Sequence, residues 1–97
     1  MMRSLVATAI GLASIAAATV VAAEPPAGAA ACSGCHPSST RLTSPVPRLA
    51  GRDRAEIVKA MQDFRSGARA ATVMDRIAKG FTDEEIQAIA AWYASQK

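Results

Sequence analysis

Aromatic residues are scarce in this chain: two Phe, one Tyr and one Trp, or 4% of 97 positions, although 51% are hydrophobic. It has one His and two Cys, no internal repeat, and no run in which apolar and polar residues alternate as a half-buried strand requires. Each scarcity removes a class of answer. A chain this short holds one small domain, which excludes a multidomain enzyme. The lack of alternation leaves helices joined by loops, an all-α domain. A single His excludes a centre with two His ligands inside one chain. The net charge is only +3, and the densest basic stretch (Arg41, Arg48, Arg52, Arg54, Lys59) has no aromatic interleaving, so no nucleic-acid partner is expected.

The hydrophobic residues that are present are unevenly spread. Seventeen of the first 23 positions are apolar, eight of them Ala. Arg3 precedes the uncharged run Leu5 to Val21, and Val21-Ala22-Ala23 places small residues before Glu24. This pattern predicts a cleavable signal peptide over residues 1–23 and a mature domain over 24–97, exported to the periplasm. An uncleaved membrane anchor is the alternative, because the run is at the short edge of what spans a bilayer. Residues 24–97 contain fifteen Ala and only fifteen larger apolar side chains besides the cysteines. Domains with so thin a core usually need a disulfide, metal, cofactor or partner.

Four helical segments are expected. Pro25 and Pro26 can open a short first helix that runs through Ala31 into Cys32. Asp53 followed by Glu56 starts a second, with Ile57, Val58, Met61 and Phe64 at helical spacing and Gly67 as its stop. A short turn of helix fits Met74 to Lys79. Thr82 with Glu85 forms a capping box for the last helix, in which Ile86, Ile89, Ala90 and Tyr93 share a face with Trp92 beside it. Between Pro37 and Gly51, three Pro and several Ser and Thr predict a loop ordered by something it wraps.

Chemistry is concentrated in Cys32-Ser33-Gly34-Cys35-His36. This is the attachment pattern of a c-type haem: two thiols separated by a short flexible step can add to the two vinyl groups of one porphyrin edge, and the adjacent His36 is placed to bind iron. A redox-active dithiol would need a strand–helix–strand context. Zinc would lack a fourth Cys or His ligand. With no second His, the sixth iron ligand is a methionine, and of the two that remain after export Met61 fits the apolar stripe of the second helix. Met74, after the irregular segment 67–72, is therefore the expected ligand opposite His36. With both axial positions filled, the iron has no open position for catalysis, which favours electron transfer over an enzymatic role.

The stretch Asp63-Phe64-Arg65-Ser66-Gly67-Ala68-Arg69 leading to Thr72-Val73-Met74 and Ala78-Lys79-Gly80-Phe81 resembles the class I cytochromes c, in particular the single-haem subunit of flavocytochrome c sulfide dehydrogenases. The resemblance covers essentially all of 24–97 and implies a small fold of three to four short helices wrapped around one covalently attached haem. It implies that the carbonyl of Pro47, within Val46-Pro47-Arg48-Leu49-Ala50-Gly51, accepts the Nδ1 hydrogen of His36, that Leu49 lies against the ring, and that Trp92 packs the last helix onto the first. It also implies a flavoprotein dehydrogenase partner that passes electrons singly to this haem, and a soluble or membrane-bound acceptor. The alternative is a freestanding soluble carrier between respiratory or photosynthetic complexes. Leu49, Ile57, Val58, Met61, Phe64, Ile77, Ile86, Ile89 and Trp92 are the side chains expected to line a haem at the centre of the domain.

Overall fold

The computed structural model describes residues 11–19 and 24–97. Of the expected signal segment, residues 1–10 and 20–23 lie outside the described residues, and residues 11–19 form no helix. Among the described residues there is no strand, and no helix is long and apolar enough to cross a membrane. Four helices follow in order: α1 (Ala29–Cys32), α2 (Arg54–Ser66), α3 (Met74–Ala78) and α4 (Asp83–Ser95).

Both long helices begin and end where local chemistry dictates. In α2 the Asp53 carboxylate accepts the Glu56 amide at 3.1 Å, and Gly67 closes the helix at φ 82°, a left-handed conformation that glycine adopts without strain. In α4 the capping box is complete: Thr82 Oγ1 accepts the Glu85 amide and Glu85 accepts the Thr82 amide, each at 3.1 Å. Asp83, Glu84 and Glu85 complement the positive end of that helix. Arg65, in the last turn of α2, donates to the Asp83 carboxylate at 2.6 Å and also to the Phe81 carbonyl. It thereby ties the end of α2 to the start of α4.

The core lies where α2 and α4 pack. Ile57 and Val58 from α2 meet Ile86, Ile89, Ala90 and Tyr93 from α4, with Ala29 of α1 completing the cluster. Leu49, Met61, Phe81, Trp92 and Cys32 pack around it, partly buried. No large side chain in this core is completely enclosed, as the thin apolar inventory of 24–97 implied. Of the nine residues expected to line the haem, Phe64 is half-buried and Ile77 is exposed. Ile77 is 38% exposed, whereas the adjacent Ala78 is fully buried.

The first helix is shorter than expected. Pro25 and Pro26 stand outside it, and Ala29 N–H bonds back to the Pro26 carbonyl at 3.1 Å, closing a turn rather than a helix. Gly28 then occupies the N-cap at φ 86°, so helical geometry begins only at Ala29. The glycine is needed twice over. A Cβ at this position would lie 2.6 Å from the Phe81 ring and 3.5 Å from Ile89. Four residues of helix still suffice to meet α4, because Gly28 lets the Phe81 ring and Ile89 approach the backbone closely.

Candidate haem-binding site

Cys32, Cys35 and His36 are carried on one hydrogen-bonded turn. The Cys32 carbonyl accepts the amides of Cys35 at 3.2 Å and His36 at 2.9 Å, and the Gly34 amide bonds to Ala31 at 3.3 Å. Cys32 is the last residue of α1 and half-buried, whereas Cys35 is exposed; both are free thiols. Burial pushes the Cys32 thiol above its ordinary pKa, an effect that hydrogen bonding from the backbone and from Tyr93 opposes. Tyr93 is raised as well, first by burial and then by the neighbouring Cys32.

His36 Nδ1 lies 2.6 Å from the Pro47 carbonyl oxygen. A carbonyl can only accept, so Nδ1 carries the hydrogen and the neutral ring keeps its lone pair on Nε2. The loop that presents Pro47 is itself held by three contacts: Arg48 Nε to the Ser38 carbonyl at 3.0 Å, Arg52 Nε to the Arg48 carbonyl at 2.8 Å, and the Gly51 amide to the Tyr93 carbonyl of α4 at 3.0 Å. Leu49 follows Pro47 and packs against the core. The structure thus brings Cys32, Cys35, His36, Pro47 and Leu49 into one region. Met74 belongs to a separate element, half-buried as the first residue of α3, which packs on α2. Met61 packs against the core from α2.

Tyr93 joins the terminal helices by a hydrogen bond, and Trp92, the aromatic that the resemblance implied, packs beside it against the same cluster. Tyr93 is 6% exposed and its hydroxyl donates to the Ala29 carbonyl at 2.6 Å. Trp92 stands edge-on to it, with ring centroids 4.9 Å apart, and is only half-buried; its indole N–H finds no partner. The signal was in the sequence, since Tyr93 shares the apolar face of Ile86 and Ile89 and Trp92 flanks it.

No family model matches the chain. Over 70 residues it is 33% identical to cytochrome c-554(548) of Halomonas halodenitrificans, an alignment that takes in 68% of this chain and 84% of that protein. The chain belongs to the class I cytochromes c. It is also 41% identical over 64 residues to the cytochrome subunit of sulfide dehydrogenase of Chlorobaculum tepidum, covering 66% of this chain and 58% of that one. Cytochrome c4 of Pseudomonas aeruginosa matches at 35% over 89 residues, 91% of this chain but 44% of the relative. The chain therefore spans about half the length of these two proteins. Class I cytochromes c are electron-transfer proteins that carry haem c covalently. The donor set fits that group: two free thiols stand on one turn, and beside them is an imidazole whose Nδ1–H is committed to a carbonyl and whose Nε2 is available to iron.

Proposed function

We propose that this cytochrome carries single electrons through one haem c, held by Cys32 and Cys35 in thioether bonds and by His36 and Met74 as axial ligands. The bond from His36 Nδ1 to Pro47 is the observation that carries this reading, because it fixes the tautomer and the ring orientation that an iron-binding imidazole needs. Accepting that hydrogen bond also makes the imidazole a stronger donor, while a Met74 thioether raises the reduction potential. Bound haem supplies a one-electron iron couple. The chain's own residues supply orientation, burial and exclusion of competing ligands.

The protein is proposed to be exported through residues 1–23 and to act in the periplasm as the electron-accepting subunit of a flavin-containing sulfide dehydrogenase. The similarity to the Chlorobaculum tepidum subunit supports this partner. A freestanding carrier is the second reading, supported by the likeness to cytochrome c4 over most of the chain. Native purification of the tagged full chain separates them. A yellow flavoprotein that copurifies in stoichiometric amount supports the first; a monodisperse monomer without flavin selects the second.

A further inference from the structure

The segment that carries Met74 leaves α2 at Gly67 and reaches α4 through Phe81 and Thr82. Ala78 is its one fully buried residue, and Ala78 stands outside the α2–α4 cluster. Besides the packing of α3 on α2, the segment is fastened at its two ends. At the start, the Arg69 amide bonds to the Asp63 carbonyl of α2 at 3.1 Å. At the far end, the Phe81 ring packs on the core close to the backbone of Gly28. Arg65 links these ends. One guanidinium nitrogen donates to the Asp83 carboxylate, 18 positions ahead, and the other to the Phe81 carbonyl, 16 positions ahead. The Asp83 side chain is 68% exposed, so that ion pair is screened by water and contributes little alone. The bond to the Phe81 carbonyl is partly buried, where a charged donor counts for more. A single side chain thus closes the neck of a loop that would gain conformational freedom on opening.

We propose that Arg65 is a positioning residue for Met74: by closing the neck of segment 67–81 in the holoprotein, it keeps the thioether from leaving the iron. Arg65 acts through Phe81 and Asp83, and it lies outside the buried cluster that α2 shares with α4. Its loss should therefore change how often the segment opens locally, with the rest of the domain still folded. Electron transfer gains from such a clamp, because a thioether that departed between transfers would change the reduction potential of the carrier. The inference rests on the reading of Met74 as an axial ligand.

The test uses ferric holoprotein of the full chain, as wild type, Arg65→Gln, Arg65→Lys, Arg76→Gln and Ile57→Ala. Each is mixed with imidazole in a stopped-flow spectrometer, and loss of the thioether-to-iron charge-transfer band is followed. At saturating imidazole the rate levels off at the rate at which the methionine departs. Arg65→Gln should raise this limiting rate about tenfold, as loss of a partly buried charged hydrogen bond implies. Arg65→Lys keeps the charge but not the planar fork, and should fall between Arg65→Gln and wild type. Arg76→Gln removes the same charge from α3, and Ile57→Ala weakens the α2–α4 core; both sites are separate from the clamp and should stay within about twofold of wild type. The proposal is overturned if Arg65→Gln stays within that range, or if Arg76→Gln or Ile57→Ala matches it. Should Arg65→Gln fail to mature with haem, Arg65→Lys decides by the same criterion. A wild type that lacks the band would instead overturn the underlying assignment of Met74.

Discussion

The α2–α4 pair and the loop from Pro37 to Gly51 are held in different ways. Each long helix carries its own start and stop signals, and the two share a continuous apolar cluster. The loop is roughly as long as either helix but contributes only Leu49 to the packing around that cluster. It is fixed by a few polar contacts, Arg48 to Ser38, Arg52 to Arg48, Gly51 to Tyr93 and His36 to Pro47. The helices therefore supply stability, while the loop presents the carbonyl that orients the His36 imidazole. A domain can divide the work in this way because a segment rich in exposed backbone bonds opens locally at little cost to the rest.

This division predicts a graded response. Truncating Ile89 to Ala removes apolar volume from the centre of the α2–α4 cluster and should cost about 2 to 5 kcal/mol in denaturant unfolding of the holoprotein. Gly28→Ala forces a side chain into left-handed backbone against Phe81; it should cost about 1 to 3 kcal/mol and free α1 from α4. Thr82→Ala deletes one arm of the capping box and should cost about 1 kcal/mol. Arg48→Ala breaks one loop contact and should shift global unfolding by only about 0.5 kcal/mol, yet amide exchange in residues 38–51 should accelerate well before α2 or α4 responds. A loop substitution as damaging as Ile89→Ala would show that the two regions are one cooperative unit.

The same contrast explains what could be read from the sequence. Caps and periodic apolar residues act over three or four positions, so the bounds of α2 and α4 follow from Asp53, Gly67, Thr82 and Glu85. The bound of α1 does not. Pro25 and Pro26 are compatible with a helical first turn, but the positive φ of Gly28 and its contact with Phe81 place the start at Ala29, and that contact is long-range. Within the candidate site, the turn that carries Cys32, Cys35 and His36 is local, so it could be read from spacing alone. The bond from His36 to Pro47 spans eleven residues and was expected only through family resemblance. The Tyr93 hydroxyl bond was not expected, because helical periodicity identifies the buried face but not which of two adjacent aromatics finds a backbone acceptor.

The central claim is that His36 and Met74 together close the coordination of one haem iron. Optical titration of the holoprotein with carbon monoxide, comparing wild type with Met74→Ala, tests it most directly. The account predicts a ferric wild type with a weak thioether-to-iron charge-transfer band and a ferrous form that does not bind carbon monoxide; in Met74→Ala the band should vanish and carbon monoxide should bind. A wild type that binds carbon monoxide readily, or a Met74→Ala variant that keeps the band, would contradict it.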